Sequence, residues 1–136
     1  MCIFLTIQVE LNILVAEDNL FTAQQYHKIL EKNGHNVTLA RDGEECIQKF
    51  QQKLSEFDSI ENPPFDAILL DNNMPKKNGA EVAKEILEKT PQQRIIFASA
   101  YDIDALLKVP ENLKQSLEVL QKPFSLTSML DKLERS

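Results

Sequence analysis

Phe65–Leu70 reads FDAILL, and it runs into the polar stretch DNNMPKKNG (Asp71–Gly79) and then into AEVAKEILEK (Ala80–Lys89). A short apolar run that ends without polar alternation is the pattern of a strand covered on both faces, as in a parallel sheet. The stretch that follows is polar and holds Pro75 and Gly79, so it reads as a loop. Val82, Ala83, Ile86 and Leu87 then recur at helical spacing and mark the inward face of a helix over Ala80–Lys89.

The same strand, loop and helix recur on either side. Upstream, Asn12–Ala16 (NILVA) is a strand, followed by Glu17-Asp18-Asn19 and a helical pattern in which Phe21, Ala23, Tyr26, Ile29 and Leu30 recur at near-helical spacing. Asn33-Gly34 supplies a left-handed stop. Asn36–Ala40 (NVTLA) is a second strand, and a second helix from near Gly43 buries Cys46, Ile47, Phe50 and Leu54. Ser55–Pro64 (SEFDSIENPP) is a turn-rich connection, because the proline pair continues neither ladder nor helix. Downstream come a fourth strand, Arg94–Ala98 (RIIFA), and a shorter fifth, Leu117–Leu120 (LEVL). Ser125 is a good N-cap for a last helix with Leu126, Met129, Leu130 and Leu133 inward. Pro110 interrupts Tyr101–Gln115, which predicts a short helix over Asp104–Lys108 and then irregular chain or a second turn.

This alternation implies an α/β fold: a five-stranded parallel sheet with helices on both faces, joined by right-handed crossovers, its fourth helix short or irregular. At 136 residues the chain fits one domain, expected over 12–136. Residues 1–11 (MCIFLTIQVEL) form an N-terminal extension, either a prolongation of the first strand or, the favoured reading, a loose leader. It has neither the basic n-region nor the cleavage site of a signal peptide. A formal charge of −6 without a basic cluster argues against direct nucleic-acid binding. No apolar run reaches membrane-spanning length. Cys2 and Cys46 make no disulfide framework, and a reducing, cytoplasmic setting is expected. His27 and His35, on the first helix and its exit, are read as surface residues rather than ligands.

Ligands of such sheets bind beyond the carboxyl ends of the strands. Glu17 and Asp18 follow the first strand, Asp71 the third, Ser99 the fourth and Lys122 the fifth. Taken singly, each has an ordinary reading: a solvated turn, a helix cap, a surface lysine. Together they put three carboxylates, a hydroxyl and an ammonium at one edge. Adjacent carboxylates repel unless a cation sits among them, and oxygen-only ligation in an open site suits Mg²⁺ better than zinc. With the charge neutralised by Mg²⁺ and Lys122, a carboxylate can attack phosphorus. Asp71 is the candidate nucleophile, because Glu17 and Asp18 can hold the metal. Ser99 is the candidate hydrogen-bond donor to the new phosphoryl oxygens.

ILVAEDN (Ile13–Asn19), DAILLDNNMPKKNG (Asp66–Gly79), IIFASA (Ile95–Ala100) and QKPF (Gln121–Phe124) resemble, in this order, the receiver domain of two-component response regulators. The resemblance covers about residues 12 to 134 and implies the doubly wound, flavodoxin-like fold. It implies that Asp71 is the phosphoacceptor, with Ser99 the switch hydroxyl and Lys122 the phosphoryl-binding ammonium. Mg²⁺ would meet Asp18 and Asp71 directly, Glu17 through water, and the backbone carbonyl of Asn73. Ala100 would keep the site open, the Lys122–Pro123 bond would be cis, and Tyr101 and Asn73 would tune hydrolysis. The implied protein is a phosphorylated switch rather than an enzyme. It would be a monomer or weak dimer, fed by a sensor histidine kinase, a phosphotransfer protein or a small donor such as acetyl phosphate, and acting on a protein target.

Two departures fall on the face that signals to partners. Val119 stands where the family commonly has an aromatic, and LLKVPENLKQSL (Leu106–Leu117) replaces the usual fourth helix and following turn. They leave room for a degenerate receiver that binds proteins without phosphorylation. A phosphohydrolase with an aspartate nucleophile is disfavoured because it needs a second acid or base near the nucleophile and neither Asn72 nor Asn73 can serve, and flavin binding because no phosphate loop follows the first strand.

Overall fold

The computed structural model describes residues 9–56, 62–99, 110–112 and 117–135. The helix expected over Asp104–Lys108, most of the N-terminal extension, and Ala100 and Tyr101 lie outside the described residues. Within them the strands are β1 (Asn12–Ala16), β2 (Asn36–Ala40), β3 (Ala67–Asp71), β4 (Ile95–Ser99) and β5 (Leu117–Gln121). The helices are α1 (Leu20–Lys32), α2 (Gly43–Ser55), α3 (Gly79–Lys89) and, after β5, α4 (Leu126–Glu134). No helix among the described residues is long and apolar enough to cross a membrane.

All strand pairs are parallel, in the order β2-β1-β3-β4-β5. β3 occupies the centre and is buried along its whole length, while β2 and β5 are the half-buried edges. Because strand side chains alternate, each strand feeds two cores. Leu14, Ile68, Leu70, Ile95 and Phe97 pack beneath α2 and α3 with Cys46, Phe50, Val82 and Ile86. Ile13, Val15, Leu69 and Ile96 pack on the other face with Tyr26 and Leu30 of α1 and Met129 and Leu133 of α4. The sheet is thus covered on both sides, as the unalternated strands required.

Local signals explain where the helices start and stop. Asn19, Asp42, Asn78 and Ser125 each accept a first-turn N–H in their side chain, and Gly34 takes φ 87° after α1. Phe21, counted in the apolar spacing of the first helix, lies off its buried stripe and is 70% exposed. The buried stripe of α1 is Ala23, Tyr26 and Leu30, and Phe21 precedes Ala23 by two positions, about 200° around the axis. The expectation for His35 needs correcting: it is not a surface residue but is 4% exposed. Its Nδ1 accepts the Leu11 N–H at 3.1 Å, which leaves Nε2 to donate to Glu134 at 2.8 Å. Both partners come from other parts of the chain and close over the ring at the amino-terminal edge of the sheet.

Candidate functional site

The carboxyl ends of β1 and β3 and the turn after β5 converge on one cleft, and β4 ends between β3 and β5 with Ser99 outside the lining. Glu17 leaves β1 with its N–H bonded to the Ala40 carbonyl at 3.0 Å, and its carboxylate accepts the Asn19 N–H at 3.1 Å. Asn19 in turn caps α1 through the Thr22 N–H. The chain thus turns sharply, leaving Glu17 5% exposed and Asp18 in the open. Asp71 is the last residue of β3 and is 6% exposed; Ser99 is the last of β4 and is buried. Both were expected just past their strands and instead close them.

Lys122 follows β5, held by its N–H to the Ser99 carbonyl at 2.9 Å, and the Lys122–Pro123 bond is cis. Its Nζ lies 3.1 Å from Asp71 Oδ1 and 4.0 Å from Glu17 Oε1. Glu17, Asp18 and Asp71 each bring an oxygen within 4.8 Å of the others. One ammonium therefore faces three acids. Burial pushes the Glu17 pKa up to about 7, with Asp71 and Asp18 adding to the rise against the lowering pull of the Asn19 N–H. A cluster of hard oxygen donors with excess negative charge, open to water on one side, fits a divalent cation of the Mg²⁺ type.

The loop between β3 and α3 brings Asn73 to the same cleft. Its N–H donates to Asp71 Oδ1 at 3.3 Å, and Gly79 N–H bonds back to the Asn72 carbonyl. Lys76, at φ 70°, reaches Asp42 and Glu44 at the start of α2 at 3.6 and 3.7 Å. The Glu45 N–H first, and Lys76 after it, hold the Asp42 carboxyl below its usual range. The loop packs so tightly here that a Cβ on Gly43 would lie 2.1 Å from the Lys77 carbonyl oxygen.

The cleft measures about 720 Å³, and Thr22, Tyr26, Pro123 and Phe124 also line it. Tyr26 therefore belongs to the cleft as well as to the core, and Thr22 joins it, though neither stands at a strand end. Asn19, Thr22 and Tyr26 stand at i, i+3 and i+7, one face of α1, and that spacing could have revealed them. Both histidines are away from the cleft; His27 pairs with Glu31 along α1 at 3.1 Å.

Comparison with known proteins agrees with this fold. The chain matches the response regulator receiver domain over residues 13–134. It is 29% identical to the response regulator receiver protein CpdR of Brucella abortus, covering 90% of this chain and 93% of that one. It is 30% identical to response regulator RR06 of Streptococcus pneumoniae over 91% of its length but only 52% of the relative's. Among solved structures, Borrelia burgdorferi CheY in its complex with CheX, BeF₃ and Mg²⁺ superposes with a TM-score of 0.73 at 26% identity, covering 90% of this chain and 85% of that one. The family match runs from β1 through the turn after β5 and into α4, so it takes in nearly all of the fold described above: the chain belongs to the response regulator receiver domain family.

Proposed function

We propose that this receiver domain accepts a phosphoryl group on Asp71 in a Mg²⁺-dependent reaction, and that the modification switches a protein-interaction surface. The observation that carries the reading is the Lys122 ammonium 3.1 Å from the Asp71 carboxylate, inside a trio of acids whose oxygens lie within 4.8 Å. Asp71 supplies the attacking oxygen. As its bond to phosphorus forms, the bond from phosphorus to the donor's imidazole nitrogen breaks, and the electron pair leaves with that nitrogen. Lys122 neutralises charge on the transferring group. Asp18 and Asp71 would hold the ion directly, with Glu17 through water and the backbone carbonyl of Asn73 completing the set. The chemistry such an ion would supply when bound is Lewis-acid neutralisation of negative charge. Ser99 donates to the phosphoryl oxygens and draws in the chain that follows β4.

The donor in this reading is a sensor histidine kinase or phosphotransfer protein, and acetyl phosphate replaces it in vitro. The complex of a related CheY with BeF₃ and Mg²⁺ supports the chemistry by analogy. Intact-mass measurement after acetyl phosphate and Mg²⁺ should show one phosphoryl group on the wild type and none on Asp71→Ala. An unmodified wild type would discard the reading. A phosphorylation-independent binding module is the second reading, favoured by Val119, which is packed against the α2/α3 core rather than presenting an aromatic ring. Target binding that is indifferent to Asp71→Ala would select it.

A further inference from the structure

The site has two halves. The β1–α1 connection supplies Glu17 and Asp18, and the β5–α4 connection supplies Lys122. A lysine stem has four rotatable carbons and does not hold its ammonium in place by itself. On the amino side the Lys122 N–H is tied to Ser99. On the carboxyl side, two residues on, the Phe124 ring stacks on Tyr26, with centroids 6.0 Å apart and planes inclined by 26°. Tyr26 is 6% exposed, sits in the buried stripe of α1, and lines the same cleft as Glu17, Asp71 and Lys122. The stack is therefore a side-chain bridge between the helix that follows the acids and the turn that carries the ammonium.

We propose that Tyr26 is a positioning residue: through Phe124 it fixes the Lys122–Phe124 turn against α1 and so keeps the ammonium on Asp71. The proposal rests on the phosphoryl-transfer reading above. The phenol is neutral near pH 7 at its ordinary pKa, and burial pushes that pKa further up to about 12, so the bridge adds no negative charge beside the acids. The ring carries the effect and the hydroxyl does not.

The test measures the phosphorylation rate with acetyl phosphate and Mg²⁺, together with Mg²⁺ affinity by calorimetry. Tyr26→Phe keeps the stack and should stay within about twofold of wild type. Tyr26→Leu removes it and should slow phosphorylation by about tenfold or more, since small misplacements of a reacting group are costly. Its Mg²⁺ affinity should stay within about twofold, because the acids remain. In a Lys122→Ala background, Tyr26→Leu should cause no further loss, which a merely structural contribution would not reproduce. If Tyr26→Leu fails to fold, Phe124→Leu enters the same cycle. A Tyr26→Leu rate equal to wild type, or an equal loss with and without Lys122, overturns the proposal alone. A wild type that takes no phosphoryl group overturns it together with the reading beneath it.

Discussion

Glu17 is a carboxyl whose proton depends on the fold. Burial, reinforced by Asp71 and Asp18, pushes its pKa from 4.5 up to about 7. Between those values the metal-free folded chain holds a proton that the unfolded chain has released. Stability from this group therefore falls as pH rises from about 4.5 to about 7. Glu17→Gln removes the dependence. Relative to wild type, the metal-free variant should gain on the order of 2 kcal/mol between pH 5 and pH 8, read from urea midpoints, with the open side of the cleft moderating the effect. Adding Mg²⁺ at pH 8 should reverse the gain, because a cation that binds only the folded site stabilises the wild type. A difference constant with pH would exclude Glu17 as the group responsible. The strand-end residues were legible because each stands within two residues of the end of a strand-like run. His35 was not, because its two partners stand 24 and 99 residues away and only folding brings them to the ring.

At the scale of elements, the loop after β3 is shaped as much by α2 as by its own sequence. Gly43 lets the Lys77 carbonyl approach where no side chain fits, and Lys76 ties the loop to Asp42. Gly43→Ala should cost about 1–3 kcal/mol through forced displacement of backbone. It should also weaken Mg²⁺ binding, because the displaced loop carries Asn73; calorimetry on a variant that still unfolds cooperatively checks this, and unchanged affinity would show the loop to be independent of α2. The strand limits show the same dependence on neighbours. β1 and β2 begin and end where the sequence put them. β3 was expected from Phe65 but starts at Ala67, because buried Gln93 takes the backbone of Phe65 for itself. It accepts the Phe65 N–H at 3.3 Å and donates to the Phe65 carbonyl at 2.8 Å. A side chain from 28 residues away thus substitutes for a ladder partner, and no local pattern announces that.

Across the whole molecule, chemistry and fastening sit at opposite edges of the sheet. The carboxyl edge holds the acids and Lys122. At the amino edge Arg94 donates to the Leu133 and Lys132 carbonyls at 2.9 and 2.7 Å, pairs with Glu118, and satisfies the end of α4. His35 holds Glu134 beside it. Arg94→Ala should cost about 2 kcal/mol or more, as charged hydrogen bonds to otherwise orphaned carbonyls are lost. Hydrogen exchange should quicken first in the last turn of α4, and uniform acceleration throughout the chain would contradict that local role. The layer order was readable from alternation alone, whereas this fastening joins segments distant in sequence and had no local signature. It also makes α4 a rod with its foot clamped. Nine residues span about 13 Å, so a tilt of about 10° about that foot carries the Ser125 end through about 2 Å. A tilt about that foot would be felt most beside Lys122, at the end that the Tyr26–Phe124 stack braces against α1, and least toward Arg94.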